Sequence, residues 1–463
     1  MLTILYFLLS FLVLALDVPF SGPVHVLLLW YFLFLALVSF LLNYRRGLFG
    51  YTDLFSPKNI FINTFGLYFG LGMMFSERVE EGPVLYIILC LLVAMLIYMV
   101  SKKRILREPP GLFINFKLKP GCKLKWRVVG LVTGGFVLFT FLAYQAGFSG
   151  PFGPIASPWQ FRQFANSKGY SYINLAANFF VYSCFLVLVL MVISRERPFR
   201  GRLLLLFYSG ITFVFLALSS GVRGVLVFGL LALLLSRHII VKRINNGVLI
   251  FVVFALAPVV VVLGEARALG VHENLSIDQA YNLIKSLDLS NVGAALMARL
   301  DSYGNFAYLM HWVTHATDLN FKWGSSYLAA PLQAVPRSIW PEKPLLPNDE
   351  LTHMLFPEYT NYTVDFSIFG EVYINFWWIG VLFVGSILGF LLVIMQRMYE
   401  HALAIKTPIA VVYVTLFWLF PMTVVVTGLV PGFIAACISI ATLYGYRLVF
   451  FEKVQLYGSN REA

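Results

Sequence analysis

Long apolar runs alternate with short polar stretches from the first residue nearly to the last. Runs of about 17 to 25 residues are long enough to cross a hydrocarbon core as helices. On this pattern the chain is expected to be an all-α, polytopic membrane protein with about 12 transmembrane helices. The spans are predicted at roughly 1–17, 24–43, 59–75, 83–100, 128–146, 171–193, 203–220, 224–236, 247–264, 372–395, 407–426 and 428–446. Span one carries no basic segment ahead of it and no small-residue cleavage site before Asp17 and Pro19, so it is expected to be retained.

The stretches between the runs divide this single integral domain of residues 1–463. A basic loop at 101–127 alternates apolar residues with lysines around Pro109, Pro110 and Pro120, which suits a segment lying on anionic headgroups. A second loop covers 147–170, and a third, about a hundred residues long, covers 265–365 between spans nine and ten. Insertions of that length in a compact membrane protein are usually functional. Within it, 276–316 reads as an amphipathic helix that opens with Ser276 and Gln279 at capping-box spacing. The proline-rich stretch that follows, GSSYLAAPLQAVPRSIWPEKPLLPND, is expected to lack regular structure. The first half holds no counterpart to the long loop, which weakens a transporter built from two related halves.

Composition agrees with lipid as the solvent: 60% of the residues are hydrophobic and 12% charged, too few to coat a water-soluble globule of 463 residues. The net charge of +12 invites a nucleic-acid reading, which the distribution of the charges removes. With the N- and C-termini cytoplasmic, 24 of the 34 lysines and arginines fall on the cytoplasmic side and 10 outside. That asymmetry is the positive-inside pattern, and it puts the long loop outside. Three of the four cysteines, Cys90, Cys184 and Cys437, fall within spans, and Cys122 lies in the basic loop, so neither a disulfide nor a thiolate metal site is suggested.

The candidate chemistry lies among the external charges. Arg223, in SSGVRG between two apolar runs, is costly so close to membrane depth and marks a functional position, with a snorkelling anchor as the plain alternative. Ser219, Ser220, Gly221 and Gly224 around it offer amides to an anion. Arg162, Arg267, Arg299, Arg337 and Lys343 stand near predicted helix ends or in stiff turns, and arginine's planar fork suits phosphate oxygens. Glu371, in FGEVYINFWWIG, or Asp301, in ARLDSYGNF, is the candidate general base toward a hydroxyl. The rings of Tyr373, Phe376, Trp377 and Trp378 read as an interfacial belt or a sugar-stacking platform. His311 and His315 have i, i+4 spacing without the glutamate of a zinc protease, and no metal or cofactor is expected. The absence of a P-loop, a dinucleotide fingerprint and a GxSxG elbow leaves ATP coupling and serine hydrolysis without support.

The ordering of SSGVRG, RLDSYGNF, VPRSIWPEKP and FGEVYINFWWIG between Ser219 and Gly380 resembles the O-antigen polymerase (Wzy-type) family of oligosaccharide repeat-unit polymerases. The resemblance implies a metal-independent glycosyltransferase of the bacterial inner membrane, making lipopolysaccharide O-antigen or a related surface polysaccharide on the periplasmic face. Its donor and acceptor would be undecaprenyl-pyrophosphate-linked oligosaccharides. Arg223, with Arg267, Arg299 and Arg337, would grip the pyrophosphate, and a chain-length regulator would be a further partner. An O-antigen ligase would share such a pocket, and a lipid-linked oligosaccharide flippase is the rival from another class.

Overall fold

The computed structural model describes residues 2–15, 23–43, 53–76, 80–104, 116–118, 302–315, 321–328, 347–357, 364–405 and 451–453. It also describes short pieces at 134, 234–235, 237–239, 243–248, 340, 342, 345, 424–425 and 428–429. These residues are mostly helical, and three helices among them are long and apolar enough to cross a membrane: Val26–Asn43, Glu81–Ser101 and Ser367–Ala404.

Helices α1 (Leu2–Ala15) and α2 (Pro23–Asn43) form an antiparallel hairpin, with the Thr3 hydroxyl donating to Ser39 Oγ at 3.1 Å. On α1, Thr3, Tyr6, Ser10 and Val13 are buried while Leu8 and Phe11 face outward at 60% and 67% exposure, an inverted surface that suits hydrocarbon. The expected third span is not one regular helix. It runs as α3 (Pro57–Phe65), a π-helical segment (Gly66–Leu71) and α4 (Gly72–Phe75). Widening the helix disturbs its ladder, and tyrosine hydroxyls from α1 and α2 reach carbonyls there: Tyr6 donates to Ile62 O at 3.1 Å and Tyr31 to Phe65 O at 2.9 Å.

Next come α5 (Glu81–Arg104), then α6 (Ser302–His315), α7 (Ser325–Leu328), α8 (Pro347–Leu355), α9 (Ser367–Phe376) and α10 (Gly380–Ile405). Two three-residue strands, β1 (Phe116–Leu118) and β2 (Phe451–Lys453), pair antiparallel, so the all-α expectation meets one small exception. Of the helix expected over 276–316, residues 302–315 are helical as α6, and the rest lies outside the described residues. One turn, α7, and a helix that uses Pro347 as its first residue, α8, form in the proline-rich stretch expected to be irregular; proline costs nothing at a helix's first position, where its missing N–H has no partner to lose.

The central contact is α10 against α5. Gly380 abuts Tyr86, Gly385 abuts Cys90 and Val93, and Gly389 abuts Ala94 and Ile97, so the two helices run parallel. A Cβ at Gly385 would come within 2.9 Å of Cys90 O, and one at Gly389 within 2.7 Å of Ala94 O. The motif is G-S-I-L-G, a small-xxx-small pair that lets two backbones touch where lipid offers no hydrophobic drive for association.

Where α10 ends, a buried polar cluster ties three parts of the chain together. Asp53 Oδ2 accepts from the Tyr399 hydroxyl at 2.6 Å and lies 3.4 Å from His238 Nε2, while Oδ1 accepts from Phe55 N–H at 3.0 Å. The Ile244 amide donates to His238 Nδ1 at 3.0 Å, which assigns the ring proton to Nε2 and makes that nitrogen the donor to Asp53. Asn59 caps the turn from Nδ2, at 2.6 Å from Asp53 O and 2.7 Å from Ser56 Oγ. Burial pushes the Asp53 carboxyl up, but the hydrogen bonds from His238, Tyr399 and Phe55 outweigh it and hold the group below the ordinary value.

Two outcomes follow. Gly389→Leu forces α5 and α10 apart and is expected to cost about 1–3 kcal/mol, read as a lower thermal midpoint in detergent, while Phe390→Leu on the exposed side of α10 leaves the midpoint unchanged. A carboxylate with a depressed folded pKa stabilises the fold above its unfolded value near 3.9 and loses that contribution as pH falls through the folded value. Asp53→Asn is therefore expected to lower stability at pH 7 by about 2 kcal/mol, and to flatten the acid limb below about pH 4 in a series of unfolding scans.

Candidate functional site

Residues 367–405 would make one straight helix of about 58 Å, nearly twice the roughly 30 Å hydrocarbon core. The chain breaks it. At Trp377 the backbone turns left-handed (φ 51, ψ −141), one 3₁₀ turn follows over Trp377–Ile379, and α10 begins at Gly380. The expected tenth span thus consists of a short entrance helix and a long crossing helix. Tyr86 satisfies a carbonyl at the break, donating to Trp377 O at 3.2 Å. Two more residues with side chains sit at positive φ, Ser367 (65°) where α9 starts and Trp323 (48°), each a conformation worth about 1–2 kcal/mol of strain.

Helix α9 is buried at every position from Ser367 to Asn375. Phe369 stacks edge-on to Phe69 at 5.0 Å and to Phe65 at 5.8 Å, and Tyr373 to Tyr86 at 5.5 Å and Phe306 at 6.1 Å. Helix α6 of the long loop therefore packs into the helical core instead of standing off it. Its Tyr303 hydroxyl donates to Glu80 O at 3.2 Å and accepts from Glu80 N–H at 3.1 Å. His311 meets the Glu80 carboxylate at 3.0 Å and stacks on His315 with ring centres 4.2 Å apart. Among the described residues, no three acidic, histidine or cysteine side chains converge as a metal site.

The polar side of α9 is covered by residues 321–328. Asn375 holds them: its Oδ1 accepts from Gly324 N–H at 3.1 Å and from Ser326 Oγ at 2.9 Å, and its Nδ2 donates to Glu371 O at 2.7 Å. Lys322 N–H adds a bond to Ile374 O at 3.1 Å, and the Lys322 ammonium pairs with Glu350. Tyr327 lies parallel to Phe376 at 5.9 Å, with Phe383 at 6.1 Å.

Glu371 sits beneath this cover, fully buried. The Tyr327 phenol is its neighbour; burial first, then the charge of Glu371, pushes that phenol well above the ordinary 10. On another side the carboxylate lies against Gly428, which has φ 101, and a Cβ there would collide with it. Glu371 thus touches the long loop and the turn after Val424 and Val425 together. Asp365, just ahead of α9 with its side chain at the surface, is met by Asn348 Nδ2 at 3.4 Å, and its backbone carbonyl by Asn305 Nδ2 at 3.2 Å.

Of the predicted site residues, Glu371 is described and stands at the centre of this arrangement. Asp301, Arg162, Arg223, Arg267, Arg299, Arg337 and Lys343 lie outside the described residues. Sequence reasoning passed over Tyr327, Asn375 and Gly428; only Asn375, inside FGEVYINFWWIG and one turn after Glu371 on a helix, was open to inference. Comparison with protein-family models, curated proteins and solved structures returns no match.

Asn375→Ala is expected to release residues 321–328, because Gly324 N–H and Ser326 lose their shared acceptor. Tryptic cleavage after Lys322, followed by mass spectrometry, should accelerate on the order of tenfold. Unchanged cleavage would show that the clamp is dispensable.

Proposed function

We propose that the chain polymerises undecaprenyl-pyrophosphate-linked oligosaccharide repeat units on the periplasmic face of the bacterial inner membrane. The observation that carries the reading is Glu371, a carboxylate withheld from water at a broken helix and covered by the long loop. A charge in so dry a setting acts strongly on whatever group approaches it.

The proposed topology has twelve spans with both termini cytoplasmic, and the described contacts support it. Asp53, His238 and Tyr399 meet one another, as do β1 and β2, and all belong to segments assigned inside. Glu80 meets His311, both in segments assigned outside, and Glu371 meets Gly428 where spans ten and twelve are assigned their outer ends. Helices α5 and α10 run parallel, as spans four and ten must if both pass from outside to inside.

In the proposed reaction a sugar hydroxyl on the incoming lipid-linked unit attacks the anomeric carbon of the growing chain. The bond from that carbon to the pyrophosphate oxygen breaks, and undecaprenyl pyrophosphate leaves with the electron pair. Glu371 or Asp301 takes the hydroxyl proton. Arg223, with Arg267, Arg299, Arg337, Arg162 and Lys343, meets the charge growing on the leaving group, as arginine can without a metal. An O-antigen ligase would run the same chemistry on a different acceptor. A flippase is the second reading, favoured by the broken helix, since transporters use such breaks around their substrates.

The test is made in the native host with Arg223→Ala, Arg223→Lys and Glu371→Gln, each checked for membrane insertion. Surface polysaccharide on a gel is expected to collapse to single repeat units, with transfer reduced at least about 100-fold. An unchanged ladder for all three variants overturns the site. Lipid-linked units accumulating on the cytoplasmic face would replace polymerisation by flipping.

A further inference from the structure

Among the described residues, two of the three non-glycine residues with positive φ are tryptophans, and they flank one ring. Trp323 (φ 48) lies 6.3 Å from Phe321 and Trp377 (φ 51) lies 6.2 Å from it, centre to centre. Both tryptophans are exposed, at 70% and 50%, whereas Phe321 is packed against the core. A bulky side chain at positive φ is a genuine outlier, kept only where the surroundings impose it.

The surroundings do impose it. Trp323 stands between two anchored residues, Lys322 bonded to Ile374 O at 3.1 Å and Gly324 bonded to Asn375 Oδ1 at 3.1 Å. Trp377 is held through its carbonyl by Tyr86 at 3.2 Å. A ring that serves only as a membrane-interface anchor requires no such backbone, as Trp30 illustrates: it is exposed at 63% on the regular helix α2. Rings fixed in a strained pose are prepared for a ligand with flat apolar faces. The edge of the patch is polar, because Lys322 lies between Phe321 and Trp323 in sequence and brings its partner Glu350, and this partly exposed pair can exchange hydrogen bonds with hydroxyls. Flat C–H faces edged with hydroxyls describe a pyranose ring.

We propose that Trp323, Phe321 and Trp377 form a saccharide-binding cradle at the start of α10, with Lys322 and Glu350 as its polar edge. The proposal rests on the polymerase reading and deepens it by giving the sugar portion of the lipid-linked unit a place beside Glu371. Asn375 then has two duties, holding the cover over the carboxylate and setting the pose of Trp323.

The test uses the full chain in nanodiscs and, as probe, the free repeat-unit oligosaccharide released by mild acid from the host's own lipid-linked precursor. Binding is read by saturation-transfer NMR and calorimetry. Trp323→Ala and Trp377→Ala are expected to weaken binding at least about tenfold, Trp323→Phe to retain most of it, and Trp30→Ala to leave it unchanged. Full binding by both alanine variants, or no binding by the native chain, overturns the cradle. So does loss in Trp30→Ala equal to that in Trp323→Ala, the result expected of lipid anchors. The polymerase reading fails separately, by an intact polysaccharide ladder in Arg223→Ala, Arg223→Lys and Glu371→Gln while the oligosaccharide still binds.

Discussion

The direct touch of α5 and α10 at Gly385 and Gly389 is the constraint on which the described structure depends. Two backbones brought this close leave no room to slide, because the atoms beneath each glycine include carbonyl oxygens of the facing helix. The register so set puts Tyr86 opposite Gly380, and Tyr86 is the side chain that holds the break at Trp377. It also puts the far end of α10 where Tyr399 reaches Asp53. Both polar assemblies, at opposite ends of α10, therefore inherit their geometry from one apolar contact.

The irregular backbone follows a single rule. Inside hydrocarbon a carbonyl that leaves its helical ladder has no water to turn to, so a neighbouring side chain must supply the proton. Tyrosine does so in each case: Tyr6 for Ile62, Tyr31 for Phe65 and Tyr86 for Trp377. Its ring belongs in an apolar core, and its hydroxyl brings a donor to depths that a smaller polar residue could not reach without opening a cavity. These three tyrosines thus have work beyond the membrane interface.

Apolar periodicity was enough to foresee α1, α2 and α5 to within a few residues, because their lengths answer to bilayer thickness, and to place α10 in outline, its ends falling beyond those expected for span ten. It could not foresee the π segment in α3–α4 or the break at Trp377, since both depend on tyrosines from other helices and leave the local apolar pattern untouched. The G-S-I-L-G pair was legible as a packing motif yet was passed over, hydrophobic counting having absorbed it into span ten. At the site, Glu371 stood out as a carboxylate among aromatic residues. Tyr327 and Gly428 did not, because they meet Glu371 across 44 and 57 residues of sequence and only the fold joins them. The cluster of Asp53, His238 and Tyr399 was hidden for the same reason, its members lying in three separate segments.

The two polar assemblies differ in a way that bears on where chemistry belongs. Asp53 is held by three donors on its carboxylate and two more on its backbone carbonyl, including the Ser56 amide at 3.1 Å, so a substrate would have to displace a complete set of hydrogen bonds to use it. Such a network specifies a fold. Glu371 is enclosed differently: its cover, residues 321–328, is a separate segment docked through Asn375, the Lys322–Glu350 pair, a main-chain bond to Ile374 and the packing of Phe321 and Tyr327, and it carries Trp323 turned outward. In the proposed reaction that cover would have to lift for a hydroxyl on a bound sugar to come within reach of the carboxylate. The proposed glycosyl transfer needs its base dry before the acceptor arrives and accessible when it does, and of the two carboxylates buried among the described residues Glu371 is the one enclosed by a separate segment of chain.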